Sequence, residues 1–308
     1  MKKFQKDILE GNSGKFIYKF DAIGTKWEIE TNEPLESGLQ ERIHKRIEQF
    51  DYTYSRFRSD SLVAQIAAAP HGGRFDFPTD SIALFALYDQ LYALTEGAVD
   101  PLVGRDLELL GYDWKYSFQQ TANLEQMKAE PDKLPIWSKD IVRQGTWLIT
   151  HRPLLIDVGA AGKGYLVDIV SGILREAGFT DFIVDGSGDL VHSGESAVPV
   201  GLEHPFDPQL VMGVANLKNS ALCASAINRR AWGEGLHHVL NAQTGVPVQD
   251  VVATWAIAAD AMTADGLATA LFFTSGKQLA EKFRFSFVRM FRDGRAEYSR
   301  NFDGEIFS

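Results

Sequence analysis

The sequence predicts an α+β fold, and three observations support that prediction. Segments with the apolar pattern of strands outnumber segments with helical spacing. A strand, a glycine turn, a helix and a second strand follow one another between residues 154 and 184. The 308 residues provide ample material for a buried core, and the 45% apolar and 23% charged residues are typical of a globular protein.

The first half of the chain combines one alternating segment with two segments of helical spacing. Residues 15–30 alternate apolar and polar side chains around a break at Gly24, so we expect a strand that opens a sheet. The polar stretch 112–140, which contains Pro131 and Pro135, is predicted to be the least ordered part of this half. Helical spacing is found at Leu39, Ile43, Ile47 and Phe50 and again at Ile82, Phe85, Tyr88, Leu91, Tyr92 and Leu94.

The second half contains the strand, turn, helix and strand in succession. Leu154–Val158 has the composition of a short buried strand, and the turn Gly159–Gly164 leads into a helix that Gly178 ends. Phe182–Val184 is predicted to form the next strand. Beyond it we expect strands at 198–203, 211–217, 221–227, 237–240 and 251–259, a helix at 263–274 and a hairpin that turns at Asp293 and Gly294.

Charge and composition exclude several classes of partner. The 31 basic and 41 acidic residues give a net charge of −10, which repels nucleic-acid phosphates, so we expect no nucleic-acid partner. The lone Cys223 can form neither an internal disulfide nor a cysteine zinc site, and we expect it to be a small buried residue. Met1–Phe20 contains no apolar stretch of signal-peptide length, and no run approaches the roughly 18 apolar residues of a membrane helix. We therefore expect a cytoplasmic protein without membrane insertion.

Two segments have residues suited to a phosphate and its counter-ion. The turn Gly159–Gly164 offers backbone N–H groups at a helix start and a cation at Lys163; the alternative is a tight connection that needs glycine only for its backbone angles. Asp265 and Thr269 are four residues apart on the predicted helix, so their oxygens share one face and could both reach Mg²⁺. The alternative is that Thr263 caps this helix and Asp265 favours its dipole.

Two adjacent histidines, His237 and His238, lie on a strand-like segment. Strand alternation sends one ring to each face, so only one of them can serve a given site. A histidine with a pKa near neutrality can take a proton from a hydroxyl. The alternative is a pair of structural or solvent-exposed rings.

Seven groups of residues follow one another along the chain. They are Ala22 to Thr25, Ser55 to Phe57 with Ser61, Val99 to Pro101, Asp157 to Tyr165, Gly188 with Asp189, His237 to Gly245, and Thr263 to Thr269. In this collinear order the chain resembles the ApbE family, the FAD:protein FMN transferases, over roughly residues 20 to 300.

The resemblance implies a two-part α+β fold with mixed or antiparallel sheets, FAD in the cleft between the parts and Mg²⁺ beside the pyrophosphate. Residues 1–308 would form a single catalytic unit, with a division into two subdomains left open. A threonine hydroxyl in the flavinylation motif of an acceptor flavoprotein would attack the FMN phosphorus and release AMP, with His238 as the base. The flavin nucleotide would be lined by Ile23, Phe57, Val99, Asp100, Asp157, Lys163 and Val239, and Mg²⁺ would be held by Asp265, Thr269 and the backbone carbonyl at Ala160.

Several positions depart from the pattern of the family. Leu102 stands where threonine usually follows Asp-Pro, Asn241 replaces an aspartate, and Asn228 falls where tyrosine is common. The lost charge at Asn241 predicts a less basic His238. Hydrolysis of FAD to FMN and AMP, FAD binding without turnover, and Mn²⁺ in place of Mg²⁺ stay open as alternatives. The other departures are Ile23 for methionine, Ala242 for proline and Ser187 for glycine.

Overall fold

The computed structural model describes residues 14–121, 135–233 and 235–307. Its helices are α1 Ser37–Tyr54, α2 Leu62–Ala67, α3 Ser81–Leu94, α4 Gly104–Leu109, α5 Trp137–Asp140, α6 Gly162–Glu176, α7 Ala261–Ala270 and α8 Gly276–Leu279. Its strands are β1 Phe16–Ala22, β2 Thr25–Thr31, β3 Gly73–Asp76, β4 Ile141–Gln144, β5 Trp147–Thr150, β6 Phe182–Asp185, β7 Asp189–Ser193, β8 Val198–His204, β9 Asp207–Leu217, β10 Ser220–Ala226, β11 Ala231–Trp232, β12 Leu236–His237, β13 Leu240–Asn241, β14 Val246–Pro247, β15 Val251–Ala258, β16 Ser286–Phe291, β17 Ala296–Tyr298 and β18 Gly304–Ile306. Helices combined with antiparallel sheets confirm the predicted α+β class.

The first two strands form a hairpin at one edge of the main sheet. Ala22 pairs with Thr25, which leaves Ile23 and Gly24 as a two-residue turn. Both turn residues have positive φ, 46° and 74°, as a type I′ turn requires. Glycine adopts this conformation freely, whereas the β-branched Ile23 is strained in it. The prediction of one strand over 15–30 is therefore wrong, because the chain reverses at the glycine.

The main sheet separates two hydrophobic cores. Among the described residues it has eight antiparallel strands in the order β1-β2-β6-β7-β10-β15-β16-β17. Along β10, Ala221 and Cys223 point into the core under the helices, and Leu222 points into the core shared with β8, β9 and β18. Cys223 is fully buried, which confirms the expectation for this residue.

The helices α6 and α7 approach each other closely on one face of this sheet. A Cβ atom at Gly164 would lie 2.1 Å from the Ala261 carbonyl oxygen and 2.7 Å from the Asp265 Cβ. Only glycine therefore allows this separation between the start of α6 and the residues of α7. The helices predicted from apolar spacing are confirmed as α1, α3 and α6, and Gly178, with φ 93°, follows the end of α6.

Three predictions about local structure need correction or lie outside the described residues. Leu154–Val158 is buried and extended but is not part of a ladder; its Asp157 N–H donates instead to the Pro101 carbonyl, 2.7 Å away. Residues 237–240 form the ends of two short strands rather than one strand. Residues 122–134, the middle of the stretch 112–140 that we expected to be least ordered, lie outside the described residues.

The remaining predicted elements are confirmed with shifted ends. The strands expected at 198–203, 211–217, 221–227 and 251–259 are β8, β9, β10 and β15, and the expected helix at 263–274 is α7. The hairpin at Asp293 and Gly294 joins β16 to β17. Within the described ranges, each helix is too short or too polar to span a bilayer.

Candidate active site

Asp157 lies at the centre of the predicted site and is held by a buried arginine. Arg56 Nε donates to Asp157 Oδ2 over 2.6 Å, and the Gly159 N–H donates to Oδ1 over 2.6 Å. The second guanidinium nitrogen of Arg56, Nη1, donates to the Tyr112 carbonyl over 2.8 Å. Burial by itself raises the pKa of Asp157, but Arg56, Gly159 and Arg230 outweigh it and hold that pKa below its ordinary value. Asp157 is therefore an anion in the folded protein.

The segment that contains Val99 and Asp100 lies next to Asp157 through the backbone bond to Pro101. Asp100 Oδ1 accepts from the Leu102 N–H over 2.7 Å, and Oδ2 accepts from the Trp137 N–H over 3.1 Å. Burial raises the pKa of Asp100 to about 6. Both carboxylate oxygens of Asp100 thus accept hydrogen bonds from backbone N–H groups, so Asp100 fixes the backbone conformation of this part of the site.

Lys163 uses its donors within the protein. Its ammonium group lies 2.8 Å from the Gly186 carbonyl, 3.0 Å from the Ser187 carbonyl and 3.0 Å from Asp189 Oδ2. Burial opposes the charge, but the carboxylates of Asp189 and Asp265 outweigh it and raise the pKa of Lys163. The two carbonyls accept hydrogen bonds from the ammonium group, whereas Asp189 is its ion-pair partner, with carboxylate oxygens that have no hydrogen-bond partner among the described residues. Lys163 therefore holds the turn before β7.

This turn is also tied to the β1–β2 hairpin. The Ser187 hydroxyl donates to the Lys26 carbonyl over 2.8 Å. Ser187 has φ 62°, in the left-handed region that favours glycine. The structure thus accounts for glycine at this position in the family and shows what the serine adds, a hydrogen bond toward the strand that follows Ile23.

The three predicted metal-binding residues meet where α6 faces α7. Thr269 Oγ1 donates to the Ala160 carbonyl over 3.3 Å, and Asp265 Oδ2 accepts from the Gly164 N–H over 2.9 Å. Burial and the neighbouring Asp189 raise the pKa of Asp265 well above its ordinary value. A carboxylate, a hydroxyl and a carbonyl are the hard oxygen donors that Mg²⁺ prefers. No cluster of three or more His, Cys, Asp or Glu suited to a metal occurs in the described part of the chain.

The charges around this point also fit a cation. The side chains of Asp189 and Asp265 are buried, and Lys163 is the ammonium group that acts on both. With both carboxylates charged, one ammonium would leave a negative charge unbalanced, and the raised pKa of Asp265 means that burial and Asp189 favour a proton on it where no cation is bound. Buried charge is costly unless it is paired, so the residues present fit a divalent cation completed by other oxygens.

The two histidines have separate environments, but strand alternation does not explain this, because only His237 lies on a strand, β12. His237 is buried, with Nε2 2.9 Å from the Val248 carbonyl. His238 is partly exposed, and its Nδ1 lies 3.4 Å from the Arg230 carbonyl. Because a carbonyl only accepts, Nδ1 carries the proton and Nε2 has the free lone pair. Burial and the charge of Arg230 lower the pKa of His238 to about 3, so the ring is neutral.

Aromatic side chains pack around Phe57, one of the predicted flavin-binding residues. The rings of Phe57 and Tyr116 stack with centroids 5.2 Å apart and an angle of 4° between their planes. The Arg56 guanidinium carbon lies 4.2 Å from the Phe57 centroid, and the ring of Tyr112 stacks on Trp232.

The other two predicted flavin-binding residues, Val239 and Ile23, differ in how far their side chains are buried. Val239 is buried in the core beside β8 and β9, and Ile23 is half-buried at its turn. Two surface depressions lined by Arg46, Gln49 and Asp80 contain none of the predicted site residues.

Two of the departures from the family pattern have clear structural roles. Asn241 Oδ1 accepts from the N–H groups of Gln243, over 2.9 Å, and Thr244, over 3.2 Å, so an amide closes this turn without a charge. Leu102 is buried in the core under the helices, and its backbone N–H donates to Asp100 Oδ1. Asn228 is exposed, and nothing in the structure explains its replacement of tyrosine.

Sequence reasoning assigned no role to four residues that the structure places at the site. Arg56 was part of a recognised group but had no partner that spacing could show, since Asp157 is 101 residues away. Tyr112 belongs to the stretch expected to be least ordered. Asp189 was part of a recognised group but had no assigned role, and Arg230 had only its charge as a signal.

Comparison with known proteins identifies an enzyme of the transferase class. The ApbE family model matches residues 23–286, most of the chain, and this chain belongs to the ApbE family. The FAD:protein FMN transferase of Escherichia coli K12 is 24% identical over 281 residues, 87% of this chain and 78% of that protein. The FAD:protein FMN transferase of Vibrio cholerae is 26% identical over 243 residues, 76% of this chain and 72% of that protein.

Solved structures of ApbE proteins share the fold. The flavin transferase ApbE from Vibrio cholerae superposes with a TM-score of 0.81 at 23% identity, covering 93% of this chain and 97% of that chain. The ApbE protein of Thermotoga maritima superposes with a TM-score of 0.80 at 24% identity over the same shares. This agreement confirms the helices and antiparallel sheets expected from the resemblance.

Proposed function

We propose that this chain transfers FMN from FAD to a threonine hydroxyl of an acceptor flavoprotein and releases AMP. The observation that carries the proposal is that α7 places its two predicted oxygen ligands against the segment that contains the third: Thr269 donates to the Ala160 carbonyl, and Asp265 accepts from the Gly164 N–H. The names of the relatives support the flavin chemistry. A cytoplasmic acceptor, without membrane insertion of this chain, is part of the same proposal.

The proposed reaction is a displacement at phosphorus. The threonine oxygen forms a bond to the FMN phosphorus, and the bond from that phosphorus to the bridging oxygen breaks. The bridging oxygen leaves with the electron pair as part of AMP. The hydroxyl proton passes to Nε2 of His238, the nitrogen that the bond to Arg230 leaves unprotonated. A neutral ring is the form that can accept this proton, and the low pKa keeps His238 neutral.

Asp265, Thr269 and the Ala160 carbonyl would hold the metal. Bound Mg²⁺, or Mn²⁺ with the same oxygen ligands, would neutralise charge on the pyrophosphate. Lys163 acts here by fixing the turn Gly186 to Asp189, which keeps the buried carboxylates in place. The protein's own contribution is thus orientation and charge balance.

The flavin nucleotide would extend from the metal-binding residues along the predicted contacts. Asp157 is held in one orientation by Arg56 and Gly159, so it can accept from a ribityl or ribose hydroxyl. Phe57 offers a stacked aromatic surface, and Ile23 an apolar one. Val99, Asp100 and Val239 would complete the lining, with Asp100 shaping the backbone.

The test is an assay with FAD, Mg²⁺ and an acceptor that carries a threonine flavinylation motif. We expect an FMN-sized increase in acceptor mass with one AMP released per acceptor. A chelator and Asp265→Ala should both abolish it, whereas Asp293→Asn, an exposed acid on the β16–β17 turn, should leave it unchanged. AMP with an unmodified acceptor would show hydrolysis instead. Bound FAD without any product would show a flavin-binding protein.

A further inference from the structure

The cationic side chains near the site differ in how many of their N–H groups already have a partner within the protein. Lys163 donates to two carbonyls and pairs with Asp189. Arg56 donates to Asp157 and to the Tyr112 carbonyl, and its Nη2, without a partner among the described residues, is buried. Displacement at phosphorus places negative charge on the phosphoryl oxygens, which calls for a cation that can reach them. Arg230 is in a position to supply it.

Arg230 stands beside the proposed base with its guanidinium group available. It is exposed at the end of a short 3₁₀ turn, Ile227–Arg230, and its carbonyl accepts from the backbone N–H of His238 over 3.2 Å. Its guanidinium carbon lies 5.6 Å from the centroid of the Tyr112 ring. Within the described residues, no carboxylate forms an ion pair with it, whereas the adjacent Arg229 pairs with Glu203 over 3.1 Å.

Tyr112, whose ring lies near Arg230, has a further polar group. Its hydroxyl is buried and has no hydrogen-bond partner among the described residues. Burial raises the pKa of Tyr112 to about 12, and the charges of Arg230, Asp157 and Arg56 all act on it. A neutral buried hydroxyl without a partner is costly unless a ligand satisfies it.

Two guanidinium groups lie near Tyr112 in a protein of net charge −10. Arg56 forms an ion pair with Asp157, and Glu108, on which both act, is a further carboxylate in this region, while His238 is neutral. Arg230 is therefore the guanidinium group near Tyr112 that has no carboxylate partner within the described residues. Guanidinium groups match phosphate oxygens in geometry as well as charge.

We propose that Arg230, supported on the Tyr112 ring, binds the phosphoryl group that passes from FAD to the acceptor. This inference rests on the proposed function. As the threonine oxygen bonds to phosphorus and AMP leaves with the bridging oxygen, Arg230 donates to the phosphoryl oxygens and the Tyr112 hydroxyl gains an acceptor. The threonine proton still goes to His238.

The experiment compares Arg230→Ala and Arg230→Lys with Arg229→Ala as the matched control. FAD affinity is measured by fluorescence titration, and the rate by single-turnover transfer to the acceptor. Losing one donor to developing charge slows catalysis roughly 10²-fold, so we expect a loss of that size in Arg230→Ala. Arg230→Lys should recover part of it as a point charge. Arg229→Ala should stay within about twofold, since rim ion pairs contribute little.

Two further measurements separate a phosphate contact from a structural role. Added guanidinium ion should partly restore Arg230→Ala, because the side chain is exposed and leaves an open site. Tyr112→Phe should weaken FAD binding without changing the acceptor KM.

The proposal is overturned if Arg230→Ala matches Arg229→Ala in both rate and FAD affinity. It is also overturned if the loss is confined to the acceptor KM, because Arg230 would then contact the acceptor. If the parent protein transfers no FMN, the proposed function fails, and FAD titration of the same variants still tests the phosphate contact. A dissociation constant for FAD that rises in Arg230→Ala but not in Arg229→Ala would then support the phosphate contact.

Discussion

Replacing Arg56 with alanine would leave the Asp157 carboxylate buried without its cation. The Arg56 side chain is 2% exposed and that of Asp157 14%, so solvent screens the pair little. Breaking a buried pair from one side costs about 3–5 kcal/mol in the free energy of unfolding. Arg56→Ala also removes the donor to the Tyr112 carbonyl, which places the expected loss toward the upper end of that range.

The pH dependence of this loss has a definite sign. In the parent protein the folded pKa of Asp157 is lowered, so the pair stabilises the fold above the unfolded pKa of about 3.9 and the contribution is lost as the pH falls through the folded pKa. In Arg56→Ala the burial of Asp157 is no longer opposed by this partner, and its pKa rises. The cost of the mutation should therefore be largest at neutral pH and shrink as acid protonates Asp157.

Urea unfolding of a double-mutant cycle is the measurement. Adding Asp157→Asn to Arg56→Ala removes the orphaned charge and should recover most of the lost stability. Arg58→Ala is the matched control: it removes an arginine two residues away that pairs with Asp51 and Asp60 at the surface, and its urea midpoint should stay close to that of the parent protein. The reasoning is refuted if Arg56→Ala unfolds within about 1 kcal/mol of the parent or if Asp157→Asn does not reduce its loss.

Three other predictions address catalysis and packing. His238→Ala should slow transfer roughly 10²–10⁴-fold while FAD titration shows unchanged affinity, and transfer at the parental rate would remove its role as base. Because the pKa of His238 is about 3, kcat/KM should show no inflection from this ring between about pH 5 and 8; an inflection near pH 6.5 that His238→Ala lacks would contradict the neutral ring. Gly164→Ala should lower the free energy of unfolding by about 1–3 kcal/mol and weaken Mg²⁺ binding, because its Cβ meets the Ala261 carbonyl. Gly172→Ala, on the same helix with open space around it, should be neutral or stabilising in the same urea titration.

Helices whose apolar residues recur at helical spacing could be predicted from the sequence. The helices α1, α3 and α6 have apolar residues at helical spacing, and that spacing alone indicates the face that packs. Leu154–Val158 has the composition of a strand, but a strand also needs a neighbour, and here the Pro101 carbonyl takes the Asp157 N–H. The hairpin at Gly24 was missed because alternation continues through both strands and does not show the reversal.

The candidate site was predictable where its residues lie close together in sequence. Asp265 and Thr269 share a helix face at any orientation of that helix, so their spacing indicated a joint role. The collinear groups of the ApbE family added Ala160 and His238. The role of Lys163 was harder to predict from the sequence. The spacing shows a cation beside a glycine turn, but it does not show that Asp189 is the ion-pair partner of that cation.

The sequence by itself determined the α+β class, the main helices, the family and the chemical types of the site residues. These follow from local periodicity and from residue order, which need no knowledge of distant contacts. Only the tertiary structure decided which charges pair, with Arg56 on Asp157, Lys163 on Asp189 and the guanidinium of Arg230 near the Tyr112 ring. Ion pairs between residues far apart in the chain depend on how the layers pack, and that pairing sets both the pKa values and the donors open to a ligand.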